Sequence, residues 1–341
     1  MKKVTLATIA QKCGCSVTTV SRVLNGNADR YRISARTREA VMAEVARCGY
    51  IPSFTAQRIR RKGSGMIGLL LPSIANPYFA DMASAIVSEL RKSDLTAILI
   101  DTMENEARLN ESARALLTRR VEGIIAVPCG EDPGVLELIS REVPVVLIDR
   151  FYKKTTLSYV TTNNFKGGYD ATIKLIEAGH KRIACIQGER DSMPNQERVE
   201  GYLQAMREAG LSDFTRIQGD AFSVQNGYLE TKVMMNAPHR PTAIFALSNT
   251  ILLGTLKALR ESSIAVPGDV SLISFDDNLY MDYLTPVIAR IGQPVGNMAK
   301  LAVRILCEKL GNTGFDDAYS QIRLLPSFIP GESISSANSA Q

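Results

Sequence analysis

The stretch TLATIAQKCGCSVTTVSRVLN, running from Thr5 to Asn25, decides how the rest of the chain is read. Leu6, Ile9, Ala10 and Cys13 recur at helical spacing and give a first short helix one apolar face. Gly14 supplies a tight turn, and Ser16 is a suitable N-cap for a second helix. In that second helix Val20, Val23 and Leu24 face inward, while Val17, Thr18, Ser21, Arg22 and Asn25 share the opposite face. Small Ala10 lets the two helices cross closely. Two short helices joined by a sharp turn are the layout of a helix-turn-helix, whose second helix lies in the DNA major groove. An ordinary helical hairpin in a core has the same spacing, so the stretch alone leaves both readings open.

Charge separates them. The chain carries a net +5, but residues 1–64 hold 13 Lys or Arg against three Asp or Glu, and the remaining 277 residues hold 27 against 32. A basic module is joined to an acidic body, and a concentrated positive field suits a polyanion. On the exposed face of the second helix, Arg22 can bond both acceptors of a guanine edge, and Thr18 and Val17 suit other base edges and the thymine methyl. Thr5, Ser21 and Asn25 suit phosphates, which fix register without reading sequence. Tyr31 and Arg32, in the loop that follows, are placed to reach the DNA backbone. Ser34 caps a third helix in which Val41, Val45 and Ala46 are expected to close a small core.

Beyond residue 65, fully apolar runs alternate with helix-period stretches: MIGLLL (66–71), LTAILI (95–100), GIIAV (123–127), PVVLI (144–148), RIACIQ (182–187), AIFAL (243–247) and VSLISF (270–275). Such strands belong to parallel sheets covered by helices on both faces. Two βα series, split near residues 161–165, predict two similar subdomains with a cleft at the carboxyl ends of their strands. Just past those strand ends stand Asn76, Tyr78, Phe79, Asp149, Arg150, Arg198, Phe222, Asn249 and Asp276, with Gln293 further on. Carboxylate, guanidinium and amide groups make paired hydrogen bonds to adjacent hydroxyls, and an aromatic face covers the apolar side of a sugar ring. Taken singly, each is an ordinary cap or turn residue.

The segment Val4–Asn25, with Ser34-Ala35-Arg36-Thr37-Arg38 and Gly49-Tyr50-Ile51-Pro52, resembles the headpiece of the lactose-repressor family of bacterial transcription regulators, and the likeness extends over nearly the whole chain. The resemblance implies an all-α helix-turn-helix headpiece (1–50), a hinge (51–64), and an α/β core of two doubly wound parallel-sheet subdomains like periplasmic binding proteins. The first subdomain would comprise 65–163 and 292–325, the second 164–291 and 326–341. It also assigns base reading to Val17, Thr18 and Arg22, and minor-groove insertion to a hinge carrying Ala56, Ile59 and Arg60. Ile59 stands where the family has a leucine, and an apolar wedge remains suitable there. The residues beyond the strand ends resemble the sugar-contact set of sugar-responsive repressors and ribose-type receptors. Thr250 departs from the Asp often found after the Asn.

By the same resemblance the expected function is a DNA-binding transcriptional regulator, commonly a repressor of carbohydrate genes, allosterically controlled by a small sugar. Its expected partners are near-palindromic double-stranded DNA and a second copy of itself, paired through the helix after Asn76 and through Leu279, Tyr280 and Tyr283. A neutral sugar competes with a phosphorylated one held by Arg150, Lys166 and Arg198; a purine or a protein co-regulator are further alternatives.

Other classes find little support. Gly63-Ser64-Gly65-Met66-Ile67-Gly68 spells G-x-G-x-x-G but leads into a strand, the reverse of a dinucleotide site. His180 and His239 are the only histidines, and no nucleophile elbow, Walker loop or zinc-ligand spacing is present, so no catalysis, metal or cofactor is expected. The beginning of the chain lacks a signal-peptide pattern and no apolar run would span a bilayer, which counts against a transport receptor. Six scattered cysteines without a CxxC pair are read as reduced thiols of a cytoplasmic protein.

Overall fold

The computed structural model describes residues 4–24, 26–50, 63–311 and 320–337. The chain divides into two compact units, Met1–Ser64 and Gly65–Gln341. Among the described residues, no helix is long and apolar enough to cross a membrane.

The first unit contains helices α1 (Leu6–Lys12), α2 (Val17–Leu24) and α3 (Ala35–Cys48). Each opens on a hydroxyl cap: Thr5, Ser16 and Ser34 accept the backbone N–H of Thr8, Thr19 and Thr37 at 3.3, 3.0 and 3.3 Å. Such a cap contributes about 1 kcal/mol per helix. Gly14, at φ +60°, makes the turn between α1 and α2 in the left-handed region that glycine enters without strain. Ile9, Ala10, Val20, Val23, Ala28 and Val41 form the core, with Val45 packed against it. Ala46 does not join them; it is exposed. Val41 and Val45 lie one turn apart on the same stripe of α3, and the next residue is carried about 100° around the helix.

In the second unit, twelve strands among the described residues form two six-stranded sheets. The first comprises β1 (Met66–Leu71), β2 (Thr96–Asp101), β3 (Gly123–Ala126), β4 (Val145–Ile148), β5 (Ser158–Thr162) and β11 (Gln321–Leu324), in the order β2-β1-β3-β4-β5-β11. The second comprises β6 (Ile183–Ile186), β7 (Arg216–Gln218), β8 (Ala243–Ala246), β9 (Ser271–Phe275), β10 (Ala289–Gly292) and β12 (Ser327–Ile329), in the order β7-β6-β8-β9-β10-β12. Neighbours pair in parallel, apart from antiparallel β10 and β12. The two orders are the same, so β4 and β9 occupy equivalent places.

Helices α4 (Pro77–Lys92) and α11 (Val295–Gly311) bury one face of the first sheet through Met82, Ile86, Met298 and Ala302. Helices α5 (Glu106–Thr118) and α6 (Gly134–Ile139) bury its other face. Around the second sheet run α7 (Asn164–Glu177), α8 (Met193–Glu208), α9 (Val224–Met235) and α10 (Asn249–Glu261). The chain leaves the first sheet after β5, returns after β10 through α11, and leaves it again between β11 and β12. All seven apolar runs are strands, with β2 shifted one residue to Thr96–Asp101 and partly exposed because it lies at the sheet edge.

Candidate functional site

Two surfaces carry chemistry, one in each unit. In the first unit the outer face of α2 presents Val17, 45% exposed, beside exposed Thr18, with Ser21 and Arg22 half-buried. None of the three helices has an acidic residue in its first turn. The residue three places after each cap, where Glu is common, is Thr, and its hydroxyl lies 2.9–3.0 Å from the capping oxygen. The helix N-termini thus keep their partial positive charge for anions. Thr5 is exposed and already engaged as the α1 cap. Tyr31 is 40% exposed and lies under the Arg22 guanidinium, whose Cζ is 3.8 Å from the ring centroid. Arg32 is exposed, with φ +51°. Asn25, Ala56, Ile59 and Arg60 lie outside the described residues.

In the second unit, nine of the ten residues expected beyond the strand ends converge on one pocket: Asn76, Tyr78, Phe79, Asp149, Arg150, Arg198, Phe222, Asp276 and Gln293. Pro194 and Ser248 complete its wall. The tenth, Asn249, is fully buried behind it, where its Nδ2 donates to Asn76 Oδ1 at 2.9 Å and Asn278 Oδ1 at 2.8 Å.

The equivalence of the two sheets explains the two carboxylates. Asp149 directly follows β4 and Asp276 directly follows β9, both buried and both in the left-handed region, at φ +66° and +77°. Backbone held there in a non-glycine residue is characteristic of functional sites. Tyr78 Oη donates to Asp149 Oδ1 at 2.6 Å. Asp276 accepts from the Asn249 backbone N–H at 3.0 Å and from Gln293 Nε2 at 2.8 Å, and Gln293 accepts in turn from Thr162 Oγ1 at 2.6 Å.

Arg198 is buried on α8 with its Cζ 3.6 Å from the Phe275 ring centroid. Its Nε donates to Asn164 Oδ1 at 2.8 Å and its Nη1 to the Leu247 carbonyl at 2.7 Å, so the guanidinium is fixed on three sides. Close approach of α7 to α8 sets its position: a Cβ on Gly168 would strike the Arg198 backbone. A Cβ on Gly188 would likewise strike the Phe222 ring. Arg150 makes a two-pronged ion pair with Glu104 at 2.6 and 2.9 Å and lies 3.7 Å from Glu189, so two carboxylates share its charge.

Burial dominates the electrostatics. It raises the Asp149 carboxyl above its usual range despite Arg150 and the Tyr78 hydrogen bond. It raises Glu189 too, with Glu104 adding to the shift, and lowers the Arg198 guanidinium. Burial opposes charge on Arg150 as well, but Glu104 more than compensates and holds it protonated.

Contacts close the cleft directly between the subdomains. Asn278 donates to Asp81 at 2.9 Å, and Arg323 to Glu197 at 2.6 Å, in addition to the Asn249–Asn76 bond. The free volume left between these walls is about 30 Å³.

Two expectations need correction. Lys166 is exposed on α7, paired with Asp170, and does not line the pocket. Tyr280, expected at the pairing surface, is half-buried against the same core as fully buried Met281, and its enclosed hydroxyl has no hydrogen-bond partner among the described residues. Leu279 and Tyr283 alone of the three proposed pairing residues project outward, 76% and 79% exposed. Glu104, Glu189, Ser248 and Pro194 were not anticipated: Glu104 reaches Arg150 from 46 residues away, through a turn in which Met103 and Glu104 both have positive φ. Among the described residues no group of three His, Cys, Asp or Glu side chains is placed to hold a metal ion.

Comparison with known proteins agrees with this architecture. Residues 64–294 match the family of periplasmic binding proteins and sugar binding domains of the LacI family, and residues 5–53 match the lacI family of bacterial regulatory proteins. The chain is 30% identical over 332 residues to the ribose operon repressor of Haemophilus influenzae, covering 97% of this chain and 98% of that one. It is 32% identical over 316 residues to the transcriptional repressor PurR of Proteus mirabilis, covering 90% and 91%. The structure of the lac repressor dimer bound to operator and an anti-inducer superposes with a TM-score of 0.85 at 25% identity, covering 98% of this chain and all of that one. The three-helix unit and the two-sheet unit with its polar cleft therefore belong to one protein type: the chain is a member of the LacI family, a DNA-binding transcriptional regulator with a sugar-binding-type effector core.

Proposed function

We propose that the protein is a cytoplasmic, homodimeric repressor of carbohydrate genes that binds a near-palindromic operator and takes a neutral pentose of the ribose type in its cleft. It carries out no reaction and needs no metal or cofactor. Val17, Thr18 and Arg22 read base edges, while Thr5, Ser21, Asn25 and Arg32 contact the backbone, and Ala56, Ile59 and Arg60 of the hinge enter the minor groove. Two copies pair in part through Leu279 and Tyr283.

The observation that carries the effector assignment is the charge balance of the cleft. Asp149, Asp276, Arg198 and Gln293 are directional groups suited to vicinal hydroxyls, and Phe79 and Phe222 supply apolar faces for a ring. Arg150, the group best placed for a phosphate, is already matched by Glu104 and Glu189. An added phosphate would face four carboxylates and two guanidiniums. A neutral polyol has no such cost. The similarity to a ribose operon repressor points the same way.

Ligand-sized pockets run about 300–1,000 Å³, so a pocket of about 30 Å³ must open by parting the cross-cleft contacts before a sugar enters. Opening and re-closing on the sugar is the motion by which the cleft would change the grip on DNA. Calorimetric titration of the full chain with D-ribose, ribose 5-phosphate and a purine base tests the assignment. Binding is expected for D-ribose alone and is expected to weaken about 10- to 100-fold in Arg198→Ala. Binding of ribose 5-phosphate or the purine without D-ribose would replace it.

A further inference from the structure

We propose that Tyr31 is the positioning residue for Arg22: a ring that holds the guanidinium flat before DNA arrives and so governs specificity at one base pair per half-site. The proposal rests on the reading of Arg22 as a base reader. It reassigns Tyr31, which as an isolated loop tyrosine reads as a backbone contact.

The guanidinium carbon sits over the ring face. Arg22 Cζ lies 3.8 Å from the Tyr31 ring centroid, and Arg30 Cζ lies 5.8 Å from the same centroid. Arg22 leaves the last turn of α2. Stacking through the face leaves the in-plane N–H groups at the edge of the guanidinium, where paired bonding to a guanine takes place.

The platform itself is anchored. Ala28 is buried in the small core and Ile33 packs against it. Between them the chain forms a compact turn in which Tyr31 N–H donates to the Asn27 carbonyl at 3.2 Å, Arg32 to Asp29 at 3.1 Å and Ile33 to Ala28 at 2.9 Å. A free arginine loses much of its rotamer freedom when it docks on a base; one already stacked on a fixed ring has lost part of it beforehand.

Because the operator is unidentified, the probe is a library of DNA duplexes with a randomised core, selected with the full chain and sequenced. Base preference at every position is compared for wild type, Arg22→Ala, Tyr31→Ala and Tyr31→Phe, with circular dichroism melting to verify folding. Arg22→Ala is expected to abolish a guanine preference at one position per half-site. Tyr31→Ala is expected to weaken the preference at that same position about three- to tenfold and leave the others alone. Tyr31→Phe, which keeps the face and removes the hydroxyl, is expected to retain it. The proposal is overturned if Tyr31→Ala leaves that preference intact. It is also overturned if Tyr31→Phe and Tyr31→Ala weaken all sequences alike with base preferences unchanged, the mark of a lost hydrogen bond from the hydroxyl to a phosphate. If Arg22→Ala alters no position, base reading by Arg22 fails, and the positioning role with it; that outcome is separable because it does not depend on Tyr31.

Discussion

Arg198 shows how a single side chain can be costly and useful at once. Burial disfavours its charge, yet Asn164, the Leu247 carbonyl and the Phe275 face hold it at the pocket wall. Hydrogen bonds to charged groups contribute about 1.5–3 kcal/mol, so Arg198→Ala is expected to weaken sugar binding by about 10- to 100-fold in calorimetry. Glu104 supplies the complementary case. In Glu104→Gln, Arg150 loses its strongest neutralising partner, and ribose 5-phosphate is expected to gain affinity relative to D-ribose; an unchanged ratio would separate effector choice from that ion pair. The candidate site residues were legible from their place just beyond apolar runs. Their partners were not, because Glu104 and Glu189 sit in turns whose paths no periodicity specifies, and the enclosure of the Tyr280 hydroxyl is a matter of tertiary packing.

Elements explain why the side chains hold still. The α7–α8 crossing depends on Gly168, where a Cβ would meet the Arg198 backbone. Gly168→Ala is expected to destabilise the core by about 1–3 kcal/mol, as overpacking does, and to weaken sugar binding in parallel; a denaturant titration beside the calorimetry checks both. At the opposite end of the second sheet, buried His180 ties the start of β6 to its neighbours. Its Nε2 lies 3.0 Å from the Ser335 carbonyl, which can only accept, so Nε2 carries the hydrogen and Nδ1 accepts from Thr242 Oγ1 at 3.1 Å. Burial lowers its pKa, so the unfolded chain takes up a proton more readily. The stabilisation from neutral His180 is complete above the unfolded value of about 6.5 and is lost as pH falls below it. Urea midpoints are therefore expected to drop between pH 7.5 and 5.5 more in wild type than in His180→Asn. Strand recognition from sequence stopped at the same kind of boundary. The apolar runs gave themselves away, whereas β5, SYVTT, is buried through Ser and Thr, β10, ARIG, carries Arg290, and β7, β11 and β12 are only partly buried.

The whole molecule couples a basic module to an acidic body. Two consequences follow at that scale. Complexes with 6–10 phosphate contacts lose about 10³–10⁵ in affinity between 50 and 200 mM salt, and the excess of ten positive charges in residues 1–64 predicts a dependence of that order. Leu279 and Tyr283, more than three-quarters exposed, are expected to support pairing of two copies, so that Leu279→Glu with Tyr283→Glu yields monomers in sedimentation velocity while sugar binding persists. The duplicated sheet order was foreseeable from two βα series, but the closed state of the cleft was not: Asn249–Asn76, Asn278–Asp81 and Arg323–Glu197 join residues 126 to 197 positions apart. Coupling between sites is typically about 1–3 kcal/mol, or about 5- to 150-fold in affinity. The most direct measurement is the anisotropy-detected affinity of the full chain for a library-selected duplex, with and without saturating D-ribose, in wild type and Arg198→Ala. The apparent Kd is expected to rise by a factor in that range for wild type and to stay fixed for the variant. An unchanged wild-type Kd, with the sugar shown to be bound, would contradict control of DNA binding from the cleft.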